Sequence, residues 1–194
     1  RKAGFKNINA DLMYGIPGQS AESLMKSLKR LCELEPEHIS LYGLRIEDET
    51  PYAKRKDSLQ LPGEDEECEM YFRAVEFLNR NGWAQYEISN FAKPGKQCLH
   101  NLRYWNSEEY LGFGPGAHSY FGGRRFAYRR NTEDYIRNLE YPGSVSDILS
   151  EDYAIKPSER LGEYVMLRMR LTEGVDTGDF AAKFGVSFEK MIAK

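Results

Sequence analysis

A strand–turn–helix unit that occurs twice in succession limits how this chain folds more than any other feature. Ile8-Asn9-Ala10-Asp11-Leu12-Met13-Tyr14 reads as a strand closed by Gly15-Ile16-Pro17-Gly18, a strong turn signal. Ser20 then stands as a helix N-cap with Glu22 in the first turn, and Leu24, Leu28 and Leu31 recur at helical spacing. The pattern repeats with a strand over His38 to Ile46 and, after a loop through Pro51 and Pro62, a helix carrying Tyr71, Val75 and Leu78. The acidic run Glu64-Asp65-Glu66-Glu67 marks the start of that second helix, where the macrodipole favours negative charge. Trp83 to Ser89 reads as a third strand.

Strand, helix, strand, helix, strand specifies parallel pairing through crossovers, the unit of α/β barrels and doubly wound sheets. Ligands of such sheets bind at the carboxyl ends of the strands. That rule selects Asp11 with the Gly15–Gly18 loop, Arg45-Ile46-Glu47, and Glu87-Ile88-Ser89-Asn90. Three parallel strands do not close a barrel, so residues 1–149 read as the later part of a larger α/β barrel with a connecting segment. Exposed strand edges in such a partial sheet favour pairing with another chain, a second copy included. Beyond the glycine-rich stretch near residue 115, Arg125–Arg130 alternates like an exposed strand and Thr132–Leu139 reads as a short helix. Tyr141-Pro142-Gly143 is a break. Pro157 suits a first helical residue, and the periodicity runs through Leu161, Val165 and Met169 to Leu171, with Gly174 as a stop. Short helices follow over Asp176–Phe184 and from Ser187 onward. Residues 150–194 therefore read as the start of a small helical domain.

Composition narrows the classes of function. A chain of 194 residues, 41% hydrophobic and 13% aromatic, buries a sizeable core. No run approaches the roughly 18 apolar residues of a membrane span, and Arg1-Lys2-Ala3-Gly4-Phe5-Lys6 lacks a secretory apolar stretch. A cytoplasmic protein without a transmembrane segment is the expectation. Net charge −3 argues against a nucleic-acid partner, although Arg124-Arg125-Phe126-Ala127-Tyr128-Arg129-Arg130 is locally basic. Cys32, Cys68 and Cys98 are too far apart for a CxxC-type metal site, and an odd number gives no disulfide framework.

The candidate chemistry concentrates between Gln85 and Ser119, which hold two of the three histidines and one of the two tryptophans. A helical turn at His100-Asn101-Leu102-Arg103-Tyr104-Trp105 sets His100 and Tyr104 on one face at i and i+4, with Trp105 beside them. This makes either an aromatic wall with a metal-ligating imidazole, or a loop pinned by Asn101 and a buried tryptophan. Gly112, Gly114 and Gly116 either let a backbone approach a ligand or simply make turns. Asp11 interrupts an apolar strand, so a ligand or a protein donor has to satisfy it if it is buried. Glu87 and Asn90 either bind a ligand or cap the next element.

Taken together, these blocks resemble the radical-SAM family of oxygen-independent coproporphyrinogen III oxidases, and within it the haem-chaperone (HemW-like) branch. The likeness is carried by Asp11–Gln19, His38–Tyr42, Tyr86–Ala92, His100-Asn101 with Tyr104-Trp105, and Gly112–Ser119. It extends to Gly162–Gly174, which resembles the start of the family's C-terminal helical domain. The resemblance implies a partial α/β barrel that binds S-adenosylmethionine on a 4Fe-4S cluster held by a CxxxCxxC loop. This sequence has no such loop, so radical chemistry is not run by these residues alone, and no catalytic residue is assigned within them. On the S-adenosylmethionine side the resemblance places Asp11, Arg45, Gly112, Gly114, Ala117 and His118. The haem candidates are His100, Asn101, Tyr104 and Trp105, with His100 as a possible iron ligand, since haem iron accepts a histidine nitrogen and the macrocycle packs on aromatic faces. The His100–Trp105 block favours a haem carrier that passes haem to acceptor proteins. The other reading is a radical oxidoreductase that converts porphyrinogen propionates to vinyls.

Overall fold

The computed structural model describes residues 1–140 and 145–193, and the chain divides into two compact units, Arg1–Cys98 and Leu99–Lys194. The first unit begins with strand β1 (Asn9–Tyr14), helix α1 (Ala21–Cys32) and strand β2 (His38–Gly43). A 3-10 turn (Ala53–Ser58) leads to helix α2 (Glu64–Arg80) and the short strands β3 (Ala84–Gln85) and β4 (Asn90–Ala92). Ser20 caps α1 as its sequence suggests: its hydroxyl accepts from the Ser23 N–H, and the Ser23 hydroxyl accepts from the Ser20 N–H. At the acidic start of α2, Glu66 accepts the Gly63 N–H at 2.8 Å.

β1 and β2 pair in parallel, Asn9 opposite His38 through Tyr14 opposite Gly43, and the sheet order is β1-β2-β4-β3. The third strand departs from the expectation of a parallel segment over Trp83–Ser89. Only Ala84-Gln85 of it forms a strand, β3; residues 86–89 then reverse the chain into β4, which runs antiparallel to β2, Ser40 opposite Asn90 and His38 opposite Ala92. The reason is local. The Glu87 side chain, 1% exposed, accepts from the Ser89 N–H and from the Asn90 amide, and the Asn90 N–H reaches the Glu87 carbonyl. These side-chain-to-backbone bonds compete successfully with a continuous ladder. The reversal still leaves the turn beside the carboxyl half of β2, where the Leu41 N–H donates to the Ser89 carbonyl at 2.7 Å. β2 ends at Gly43 rather than Ile46.

One face of this sheet carries Ile39 and Leu41 of β2 and Phe91 of β4 into a core with Leu28 of α1, Ala74 and Leu78 of α2, and Trp83. Burying such side chains contributes about 1.5–3 kcal/mol each. The other face carries Asn9, Asp11 and Met13 beside His38, Ser40 and Tyr42, because side chains alternate along a strand.

The second unit begins with helix α3 (Leu99–Trp105), followed by a three-stranded antiparallel sheet of β5 (His118–Phe121), β6 (Arg124–Tyr128) and β7 (Leu149–Ala154) in that order. Helix α4 (Thr132–Glu140) and a 3-10 turn (Val145–Ile148) lie between β6 and β7. The expected break at Tyr141-Pro142-Gly143 lies outside the described residues. Helices α5 (Pro157–Arg168), α6 (Thr177–Phe184) and α7 (Phe188–Ile192) follow, with α5 ending at Arg168 rather than Leu171. Phe180, 0% exposed, gathers Tyr164, Phe184 and Phe188 around it at ring separations of 5.0–6.1 Å. The α6 helix ends on Gly185 at φ +69°, a left-handed stop that suits glycine. No helix among the described residues is long and apolar enough to cross a membrane.

Candidate functional site

On the second face of the first unit's sheet, polar groups satisfy one another. His38 Nδ1 lies 2.7 Å from Asn9 Oδ1 and its Nε2 lies 2.8 Å from the Tyr86 hydroxyl, which also accepts the Cys98 N–H at 3.2 Å. Ser40 donates to the same Asn9 oxygen. Burial lowers the His38 pKa, and the Asp11 carboxylate acts in the opposite direction. Asp11 itself is exposed and accepts from the Asn9 amide at 2.7 Å, so no buried charge needs a partner there. Arg45 lies beyond the end of β2, paired at 3.1 Å with Glu47, the two side chains 86% and 67% exposed. Asn90 Oδ1 is buried without a hydrogen-bond partner.

In the second unit, α3 forms as its i, i+4 pattern suggests, with the His100 and Tyr104 rings edge to face at 4.9 Å. Tyr104 continues to Tyr110 at 4.5 Å and Tyr110 to Tyr120 at 6.5 Å, so one aromatic series runs from helix to sheet. These rings line an open cleft of about 390 Å³ together with Asn101, Trp105, His118 and Arg125. α5 closes another side with Glu163 and Leu167. His100 buttresses Tyr104 from outside the cleft lining, and the Arg170 guanidinium lies 4.6 Å over the Trp105 ring.

The electrostatics of the cleft are uneven. Arg125 donates to Glu163 at 2.5 Å; burial opposes its charge, yet hydrogen bonds to Glu163 and Tyr153 leave its pKa raised. Burial also raises the pKa of Tyr110. Two N–H donors, Trp105 Nε1 and Arg125 Nε, are buried without a hydrogen-bond partner in the protein. His118 Nδ1 stands 3.1 Å from Glu151 Oε1.

The glycine stretch turns inward on the protein. A Cβ on Gly112 would come within 2.3 Å of the His118 carbonyl oxygen, and the Gly112 N–H donates to Ser119 Oγ. The Gly114 N–H donates to the Tyr135 hydroxyl, the Gly116 N–H to the Arg129 carbonyl, and the Ala117 N–H to the Gly114 carbonyl. With these amides engaged, the stretch is a tight turn that delivers His118 into β5 and leaves no row of free N–H groups to cradle an anion. Of the sequence candidates, the cleft thus gathers Asn101, Tyr104, Trp105 and His118, while Gly112, Gly114 and Ala117 set the turn beside it. Asp11 and Arg45 belong to the first unit. Sequence reasoning did not single out Tyr110, Tyr120, Arg125, Glu151 or Glu163. The alternation of β6 places Arg125 and Ala127 on one face, a signal for Arg125, whereas nothing local marks Glu163 on α5.

Comparison with known proteins gives this architecture a lineage. The structure superposes on the coproporphyrinogen III oxidase HemN of Escherichia coli, a radical-SAM enzyme, with a TM-score of 0.77 at 22% identity, over 99% of this chain and 46% of that one. The fold is that of a radical-SAM protein. Residues 155–194 match the HemN C-terminal domain. The heme chaperone HemW of Bacillus subtilis is 38% identical over 191 residues, and that of Lactococcus lactis 36% over 193. These alignments cover 97% and 98% of this chain and 50% of each relative. HemW of Escherichia coli is 36% identical over 94% of this chain and 47% of its own length. Over nearly its whole length the chain is thus similar to proteins named heme chaperone HemW, and it spans about half the length of the curated relatives it matches.

The residues described here do not suit the family's iron–sulfur cluster. No three His, Cys, Asp or Glu side chains among them come together to hold a metal ion, and burial pushes the Cys32 thiol up to about 11, away from the thiolate a cluster needs. The cleft has the opposite character, with flat aromatic walls, unpartnered donors and a histidine at its edge.

Proposed function

We propose that this chain contributes the haem-binding surface of a protein that carries haem and passes it to acceptor proteins. One observation carries the reading: Tyr104, Trp105, Tyr110 and Tyr120 line a single cleft that also holds the Arg125 guanidinium and His118. A porphyrin needs flat apolar walls for its macrocycle and hydrogen-bond donors for its propionates. An open cleft of this size grips one part of such a ligand, which suits a protein that must release it. The curated relatives named heme chaperones support the same reading.

In this proposal residues 1–149 supply barrel and connecting structure, and residues 150–194 begin the helical domain whose α5 closes the cleft. Asp11, exposed on the second face of the sheet, is a carboxylate acceptor for a hydroxyl or amino group of S-adenosylmethionine. The cofactor supplies radical chemistry when it is bound on a cluster. Gly112, Gly114 and Ala117 hold the turn that sets His118.

The test is a haemin titration followed by visible absorption, on the protein and on Tyr104→Ala and Trp105→Ala variants. Saturable uptake with a shifted Soret band, weakened in both variants, is the expected result. The fold shared with HemN favours porphyrinogen oxidation as a second reading. It takes precedence if the well-folded chain takes up no haemin and a full-length protein containing this chain, loaded with its cluster, releases decarboxylated porphyrinogen.

A further inference from the structure

The end of α5 and the turn after it send two arginines to the end of α3, and the fold uses them differently. Arg168, its side chain 13% exposed, is committed to the protein: its guanidinium donates to the Asn106 side-chain oxygen and to the Gly174 carbonyl, and stands 3.7 Å from Glu173. Arg170 is exposed, with its guanidinium 4.6 Å over the Trp105 ring. Among the described residues no carboxylate, carbonyl or hydroxyl accepts from it. Resting on the haem-binding reading above, we propose that Arg170, held on Trp105, receives a carboxylate of the bound porphyrin, which in haem is a propionate.

The place of this cation suits such a group. A macrocycle gains by leaving water, whereas an ionised carboxylate is costly to bury unless a cation meets it, so the carboxylates of an amphipathic ring belong at the rim of its site. Trp105 lines the cleft, and Arg170, outside the lining and exposed, stands where the wall meets solvent. The other nearby cations are engaged. Arg125 donates to Glu163, Arg103 lies 3.7 Å from Glu108, and Lys183 stands over Tyr164 with the Asn106 carbonyl 3.5 Å away.

A guanidinium meets an indole through its face and a carboxylate through its edge, so one contact does not displace the other. The backbone fixes where the side chain starts. The Arg170 N–H donates to the Leu167 carbonyl at 3.1 Å, the Leu171 N–H to the Arg168 carbonyl at 3.0 Å, and the Leu171 side chain is buried. An arginine restrained in this way loses less freedom when its partner arrives. The chemistry is a charge-assisted hydrogen bond, with no bond made or broken.

The experiment compares haemin with haemin dimethyl ester, which has the same iron and macrocycle but no propionate charge. Both are titrated into the full chain and into Arg170→Ala, Arg170→Lys and Arg124→Ala variants, each checked for fold by circular dichroism and followed at the Soret band. The readout is the ratio of the two affinities in each protein. The unmodified chain is expected to prefer haemin about fivefold, the size of a favourable exposed charge pair, and Arg170→Ala to lose that preference while its ester affinity holds. Arg170→Lys is expected to keep part of it, since the charge remains and the planar fork does not. Added salt is expected to narrow the preference of the unmodified chain and to leave Arg170→Ala unmoved. Arg124→Ala, which breaks an exposed pair with Asp152, is expected to keep the full preference.

Equal loss of affinity for both compounds in Arg170→Ala makes the residue a support for Trp105 alone and overturns the carboxylate role. A preference that survives in that variant overturns it as well. Should Arg170→Ala fail to fold, Arg170→Lys and the salt dependence of the unmodified chain decide the matter in the same terms. Saturable uptake of both compounds without preference by the unmodified chain leaves the haem-binding reading standing and removes this proposal. Absence of any uptake by the well-folded chain removes both.

Discussion

The sheet face of the first unit and the cleft of the second are both polar surfaces that contain a histidine, and they solve the hydrogen-bonding problem differently. Around His38 almost every donor meets an acceptor inside the protein: Asn9, Ser40, Tyr86 and the Cys98 amide close on one another. Around His118 the protein leaves Trp105 Nε1 and Arg125 Nε unpartnered and one imidazole nitrogen unused. A buried donor without a partner costs free energy, so the two arrays differ in energetic cost as well as in composition. The presence of a histidine is therefore less informative than whether its neighbours are satisfied.

The largest test of the comparison is Gly112→Ala. Its Cβ meets backbone, the His118 carbonyl, at 2.3 Å, and backbone cannot yield as a flexible side chain does. The expected cost is about 3 kcal/mol with loss of the cleft, measured by chemical denaturation and haemin uptake. If the variant is as stable as its parent, the turn does not hold His118 in place.

Tyr86→Phe comes next. It strips the partner from His38 Nε2 and from the Cys98 amide, and about 1–3 kcal/mol of stability should disappear with haemin affinity unchanged. Trp105→Phe should do the reverse, leaving stability within about 0.5 kcal/mol and weakening haemin affinity by roughly 1 kcal/mol, about fivefold. Should both substitutions affect stability alone, the contrast between a closed array and an open one fails.

A smaller effect comes from pH. Burial lowers the His38 pKa in the folded state, so below the ordinary value of 6.5 the unfolded chain takes up a proton first. Stability is fully present above that pH. It falls as pH drops from there toward the folded pKa, by at most about 1.4 kcal/mol per pH unit, and Asp11 moderates the slope. Urea denaturation from pH 7 to 5 should show this decline in the parent and its absence in His38→Gln. The smallest effect is at Arg45→Ala, an exposed pair with Glu47 whose removal should change stability by less than about 0.5 kcal/mol.

Features governed by near neighbours were legible in the sequence. Ser20 announces α1, the acidic run from Glu64 announces α2, and the spacing of His100 and Tyr104 anticipates their ring contact on α3. The β3–β4 reversal was not legible, because Ile88, an apolar residue in a strand-like run, is exposed in a turn held by the Glu87 side chain. β7 was also missed. Leu149–Ala154 carries Glu151 and Asp152, whose partners His118 and Arg124 are brought to them only by the pairing of β5, β6 and β7. Likewise Glu163 becomes part of the cleft only when α5 approaches Arg125, a contact across 38 residues.

The placement of the two tryptophans has an optical consequence. Trp83 sits in the first unit's core, 5% exposed, with its indole N–H on the Pro36 carbonyl, and Trp105 lines the cleft of the second. Each unit thus contains one tryptophan. Emission from Trp105 in a Trp83→Phe background would be quenched by energy transfer when a porphyrin arrives, and Trp83 emission in a Trp105→Phe background would follow the melting of the other unit. The chain reports on its two halves separately, without a label.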